Sequence, residues 1–308
     1  MKGLELCEKY YETWGAPMLH EQFPAFEEII AVGLCGSGSE CFGFDDEVSR
    51  DHDFEPGFCL FLPEEDVIDR RTAFLLERAY AKLPKTFLGF ERAPLSPVGG
   101  NRHGVLRTDD FFRAKVGVPD GKLTAEQWLN IPEFYLAEAT NGKVFRDDCG
   151  AFSAVRERLK TMPEDVRLKK LAGALLLMAQ SGQYNYARCL AHGEPGAAQL
   201  AANEFVSAAL HAVFLLNRAY LPFYKWQFRA LRGLSKRAEL EPVLLRLLTG
   251  KAEEPRAEIE TVCAAVIEEL RAQALTTQTC GDLERHAYSV NDRIADAGLR
   301  NLNILAGV

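Results

Sequence analysis

The chain changes its hydrophobic rhythm near its middle. Up to about residue 150, short β-branched and aromatic runs are interrupted by glycine and proline; beyond it, apolar positions recur every three to four residues and glycines thin out within segments. In the first half, residues 4–15 read as a short amphipathic helix. The run Ile29-Ile30-Ala31-Val32-Gly33-Leu34 reads as a buried strand that ends in the turn Gly36-Ser37-Gly38-Ser39-Glu40. Residues 51–62 predict a second strand, stopped by Pro63. Acidic residues after Pro63 suit a helix start, and the apolar spacing carries that helix over 64–82. The Pro- and Gly-rich stretch 94–102 is loop, 103–108 a third strand, and a helix follows from Asp109. Another helix opens at Thr124, and residues 142–145 form the last strand.

From residue 151 the period of 3.6 dominates. It predicts helices near 151–162, 164–181, 183–192, 195–218, 222–233, 238–249, 255–273 and 280–305. The expected fold class is therefore α+β: a small mixed-sheet domain over 1–150, then an all-helical bundle over 151–308.

Composition narrows the partners. The 308 residues are 47% hydrophobic and 26% charged, the balance of a soluble globular protein, and the net charge of −8 argues against a broad nucleic-acid surface. A small nucleotide remains compatible, because a metal ion and one or two basic residues can meet its charges. Residues 1–15 lack the continuous apolar core of a secretory signal, and the most apolar stretch, 171–178, is too short to span a bilayer. The expectation is a cytoplasmic chain with no membrane partner. Its eight cysteines are scattered without a C-x-x-C pair, which points to reduced thiols rather than to disulfides or zinc.

The candidate chemistry sits between residues 38 and 54. On a strand, residues two apart share a face, so Asp51 and Asp53 project together and His52 turns away. Paired carboxylates repel unless a cation lies between them, and Mg²⁺ takes such hard oxygen ligands. Gly38 lets the backbone approach a phosphate, and the Ser39 hydroxyl supplies a donor; Ser37, at longer spacing from Asp51, is second choice. Asp45, Asp46 and Glu47 read as a solvated acidic loop.

Gly-Ser followed about a dozen residues later by Asp-x-Asp resembles the signature of the DNA polymerase β-like nucleotidyltransferase superfamily, with Gly38, Ser39, Asp51 and Asp53 on the matching positions. Gly43 and Ser49 also stand where aminoglycoside adenylyltransferases tend to have Gly and Ser, and a helical second domain matches their layout. The fuller strings Cys41-Phe42-Gly43-Phe44-Asp45-Asp46, Gln183-Tyr184-Asn185-Tyr186 and Leu215-Leu216-Asn217-Arg218 look closest to a bacterial nucleotidyltransferase-like family of unknown function.

The resemblance implies a Mg²⁺-dependent transfer of a nucleoside monophosphate, AMP foremost, from an NTP such as ATP to an acceptor hydroxyl of an unknown small molecule. Asp51 and Asp53 would be the catalytic metal ligands. It also implies a third carboxylate on a later strand, where this chain has Leu106; Asp109 and Asp110 lie just beyond, in position either to substitute or to cap the next helix. In the helical half, Pro222 suits a first helical turn that sets Lys225 and Arg229 four apart on one face. Lys225 resembles in setting the lysine that the related adenylyltransferases place on the triphosphate; its ordinary role is a snorkelling lysine beside Trp226. Asn185 and Arg188 share a helical face and are candidate acceptor contacts, while Glu284, Asn291, Asp292, Arg293 and Asn301 form a polar stripe. Two alternatives stand beside transfer: a nucleotide-binding regulatory or interaction protein with attenuated catalysis, and an RNA-directed transferase of a toxin system.

Overall fold

A computed structural model of the chain describes residues 1–50, 54–92 and 102–308, which form an α+β fold with a small mixed sheet and a helical C-terminal region. Helix α1 (Gly3–Tyr10) runs through a π-helical turn, Tyr11–Gly15, into α2 (Ala16–Gln22). Strands β1 (Ala31–Leu34) and β2 (Cys59–Leu62) precede α3 (Arg70–Ala81), the hairpin of β3 (Thr86–Phe87) and β4 (Phe90–Glu91), β5 (Gly104–Arg107) and α4 (Thr108–Val116). Then come α5 (Ala125–Asn130), α6 (Glu133–Thr140), β6 (Lys143–Arg146), α7 (Ala151–Lys160), α8 (Glu164–Met178), α9 (Ala187–Ala191) and α10 (Pro195–Leu216). The last helices are α11 (Gln227–Leu231), α12 (Glu241–Leu248), α13 (Pro255–Ala272), α14 (Leu283–Asn291) and α15 (Ala297–Asn301).

Three expected elements are corrected. The second strand begins only at Cys59, and residues 54–58 ahead of it are irregular. The helix expected from residue 64 begins at Arg70, because the Asp69 carboxylate accepts the Thr72 N–H at 2.7 Å and so caps it there. The single helix expected over 280–305 is split into α14 and α15, each with its own aspartate cap, Asp282 and Asp296. Asp165 completes the break by accepting the N–H groups of Ala295 and Asp296, at 3.1 and 2.8 Å.

The chain divides into two compact units, Met1–Lys122 with Tyr135–Thr161, and Leu123–Phe134 with Met162–Val308. The boundary expected at residue 150 thus shifts past α7, for a reason visible in the first unit. Its sheet has the order β5-β2-β1-β6, with β1 antiparallel to β2 and β6, and β2 parallel to β5. Every residue of β1 and β2 is buried because the sheet is covered on both faces, which is why these strands read as apolar runs without alternation. Val32, Leu60 and Leu62 pack in one core with Tyr10, Leu19, Leu76 and Tyr80. Phe61 points to the other face, where Phe152 of α7 stacks on it at 4.0 Å and Phe111 of α4 meets it edge-on at 5.2 Å. Phe152, 1% exposed, is a core residue of this unit.

In the second unit α8 is buried nearly all round, between α10 and α14. That burial includes three basic residues, each with named partners. Arg167 pairs with Glu164 at 2.7 Å and donates to the Leu215 carbonyl. Lys169 donates to Asn291 Oδ1 at 2.9 Å and to the Leu302 carbonyl at 2.7 Å; Lys170 donates to the Gly307 carbonyl at 3.1 Å. Asn291, from the polar stripe, thus belongs to a buried hydrogen-bond network. The closing residues lie against α8, since a Cβ on Gly173 would meet Val308 at 2.7 Å. Helix α10 is long and apolar enough by length and composition to cross a membrane; 61% of its apolar window is buried inside this fold.

Candidate functional site

The turn after β1 is shaped by its glycines and held by a distant asparagine. The sheet ends at Leu34, and Gly36 follows at φ +130°, where side-chain-bearing residues are strained. Gly36 donates its N–H to Asn141 Oδ1 at 2.9 Å and accepts from Asn141 Nδ2 at 2.7 Å. After Ser37 and Gly38 comes a single 3₁₀ turn, Glu40–Phe42, closed by Gly43 in the left-handed conformation. The Gly142 N–H reaches the Cys41 carbonyl at 2.9 Å. Arg156, on α7, donates to Cys35 Sγ at 2.8 Å and to the carbonyls of Thr140 and Asn141 at 2.8 and 2.6 Å. It thereby satisfies C-terminal carbonyls of α6 that lack helical partners.

A pocket of about 140 Å³ opens at this turn, wholly within the first unit. Gly36, Ser37 and Gly38 line one side, and the charged side chains Glu40, Arg102 and Lys115 reach it. Leu106 and Phe111 form apolar wall, and Cys35, Cys41 and Cys59 complete the lining. The volume falls short of the roughly 300–1,000 Å³ that engulfs a drug-sized ligand and suits a phosphoryl-sized group. Arg102 is ion-paired with Glu40, and Lys115 with the buried Glu138, so the lining itself carries two cations and one carboxylate. The close approach of Arg102 and Glu40 leaves no room for a side chain at position 38: a Cβ there would stand 1.8 Å from Arg102 Nη2. Burial pushes the Cys35 thiol up to about 11 against the pull of Arg156, and drives Cys41 and Cys59 well above the ordinary thiol range. These thiols are neutral lining at physiological pH rather than nucleophiles.

Asp51, His52 and Asp53 lie outside the described residues. Of the two serines, exposed Ser37 lines the pocket, while Ser39 sits half-buried at the start of the 3₁₀ turn. Leu106 faces the pocket from β5. Asp109 and Asp110 lie in the first turn of α4; neither makes a cap hydrogen bond, and Asp109 is 3.7 Å from Arg113 one turn on. Asp45 departs from the expected solvated loop. It is 4% exposed and accepts the Gly3 N–H at 2.9 Å at the start of α1, with Lys2 beside it at 3.4 Å. Asp46 closes its own loop by accepting the N–H groups of Val48 and Ser49, and Glu47 is exposed.

Lys225, Asn185 and Arg188 belong to the second unit. Lys225 stands exposed in a 3₁₀ turn, Tyr224–Trp226, with its ammonium 5.0 Å over the Trp226 ring. The α-helix expected from Pro222 begins at Gln227 instead. Asn185 and Arg188 are both exposed, and Arg188 lies over the Tyr184 ring at 5.1 Å.

Glu40, Arg102 and Lys115 line the pocket while Asn141 and Arg156 hold its turn, and sequence reasoning gave none of them a role in a site. The nearest signal was the Asn141-Gly142 dipeptide, a turn former whose asparagine takes on a second role here. Among the described residues no group of three or more His, Cys, Asp or Glu side chains gathers in a way that could hold a metal ion. In comparisons with known proteins, a family model described as a domain of unknown function (DUF4037) matches residues 128–227. That is about a third of the chain; it includes Asn141, Arg156 and Lys225 but not the turn at Gly36. No curated protein matches the chain. No solved structure matches it.

Proposed function

We propose that the chain binds a nucleotide at the Gly36-Ser37-Gly38 turn and transfers its nucleoside monophosphate to an acceptor hydroxyl, with release of pyrophosphate. The observation that carries this is the pocket itself. A glycine turn held open at φ +130°, a lining of two cations against one carboxylate, and a small volume together suit a phosphate group. A Cβ at Gly36 would meet nothing within 4 Å, so the space beside the turn is open, while the N–H and carbonyl of Gly36 itself are held by Asn141.

The resemblance to nucleotidyltransferases supplies the reaction class, and Asp51 and Asp53 would hold the magnesium ion it implies. That ion, when bound, would neutralise phosphate charge. On the chain's own side, Lys115 and Arg102 draw phosphate oxygens to the turn, and the open space beside Gly36 permits the approach. Leu106 and Phe111 keep one wall dry, which strengthens those charge contacts. AMP from ATP is the favoured group, and a small-molecule hydroxyl the favoured acceptor.

One observation favours the attenuated alternative, nucleotide binding without turnover. Leu106 occupies the pocket wall where the superfamily pattern calls for an acid, and Asp109 and Asp110 are not among the residues lining it. Losing a general base costs about 10²–10⁴ in rate. The test mixes the protein with Mg²⁺, each labelled NTP and a small-molecule extract, beside Asp53→Asn. Labelled product or pyrophosphate that disappears in the variant supports transfer. Binding without product supports the attenuated alternative, and no binding of any NTP sinks both.

A further inference from the structure

Gly36 has no backbone polar group left for a ligand, because one primary amide takes both. Asn141 Oδ1 accepts its N–H at 2.9 Å and Asn141 Nδ2 donates to its carbonyl at 2.7 Å. The next two residues differ: among the described residues, no acceptor meets the N–H of Ser37 or of Gly38. Both line the pocket with Arg102 and Lys115. Asn141 is itself braced. Arg156, 5% exposed, donates to the carbonyls of Thr140 and Asn141 and to the thiol of Cys35, the residue before Gly36. A turn holding two glycines would otherwise sample many conformations, and ordering it on binding would cost affinity.

We infer that Asn141, held by Arg156, is a positioning residue that fixes the turn in the one form offering the Ser37 and Gly38 N–H groups to an anionic phosphate. The inference rests on the nucleotide binding proposed above and adds the device that pre-organises it. Donors fixed before the ligand arrives need no reorganisation when it does. Asn141 itself touches no ligand.

The test compares the unaltered protein with Asn141→Ala, which removes both bonds to Gly36, and with Arg156→Lys, which keeps a cation but loses the planar fork of donors. Leu244→Ala serves as a control, since Leu244 is a fully buried residue of the second unit and its loss lowers stability without touching the turn. Dissociation constants for Mg-ATP and for inorganic pyrophosphate are read beside melting temperature and hydrogen exchange in peptides covering 34–42. Asn141→Ala is expected to raise the dissociation constants about tenfold or more, the scale of a lost buried hydrogen bond, and to speed exchange in that segment. Arg156→Lys should fall between it and the unaltered protein, and Leu244→Ala should keep its affinity. Faster exchange with unchanged affinity, or a loss no greater than in Leu244→Ala, overturns the positioning role. If the unaltered protein binds pyrophosphate but not Mg-ATP, nucleotide binding fails and the pyrophosphate constants decide the positioning role. If it binds neither, both are overturned.

Discussion

Replacing Glu133 by Gln exposes how the second unit tolerates charge in its interior. The Glu133 carboxylate is 6% exposed and meets His211 Nε2 at 2.8 Å, the Leu221 N–H at 3.1 Å and Lys170 Nζ at 3.7 Å. Burial pushes its carboxyl up, but His211, Lys170 and the Leu221 N–H together outweigh that and hold it below the ordinary carboxylate value. On the lysine the balance reverses: burial pulls the Lys170 ammonium down, against the opposing pull of Glu133. Gln keeps the shape but has a single acceptor oxygen where His211 and the Leu221 N–H meet separate oxygens of Glu133, and it removes the counter-charge of a lysine that is 3% exposed. Breaking such a pair on one side costs about 3–5 kcal/mol. The Gly307 carbonyl still receives Lys170, which places the expectation near the lower end, about 3 kcal/mol. In a unit of this size that corresponds to a melting temperature lower by roughly 6–12 °C.

The assay is urea denaturation and calorimetry at neutral pH on Glu133→Gln, Lys170→Met and the double variant. The double variant is expected to recover most of the loss, because neither charge is then left buried alone. A lowered folded pKa means that the stabilisation from Glu133 is complete above the ordinary carboxylate range and is lost as pH falls through the lower folded value. The deficit of Glu133→Gln therefore narrows in acid, below about pH 4. A single-variant loss under about 1 kcal/mol, or a coupling under about 0.5 kcal/mol, would refute the account.

Two further expectations concern the first unit. Gly142→Ala should abolish soluble expression or cost more than about 4 kcal/mol, since its Cβ would lie 2.0 Å from the Leu34 carbonyl oxygen at φ +67°; Gly36→Ala, with open space at φ +130°, should cost only about 1–3 kcal/mol. Comparable melting curves for the two variants would contradict this. In alkylation at mildly alkaline pH, exposed Cys149 should react first, while Cys35, Cys59 and Cys7, buried with raised thiols, react only once the chain is unfolded; early labelling of Cys59 would show that the pocket wall opens.

What the sequence revealed depended on how far along the chain each feature had to reach. The runs at 31–34 and 59–62 were legible because strands covered on both faces must be apolar throughout, and α8, α10 and α13 because a long period leaves little choice of structure. The start of α3 hinged on one aspartate, and Pro63 with the acidic residues after it favoured an earlier start; the bond from Thr72 to Asp69 decides it. The break between α14 and α15 was beyond local pattern, because Asp165, 130 positions from Ala295, takes the amides concerned. The π-helical segments Tyr11–Gly15 and Ala179–Tyr186 stayed hidden, since one extra residue per turn merely shifts the apolar phase. The site divides in the same way. Glycines announced the turn at 36–38, because that conformation excludes other residues. The amide that clamps it comes from 105 positions away and the guanidinium that braces the clamp from 121, and neither leaves a trace near the turn. An asparagine followed by glycine at 141–142 satisfied every local expectation of a helix-to-strand turn, so nothing in the sequence demanded a second role for it.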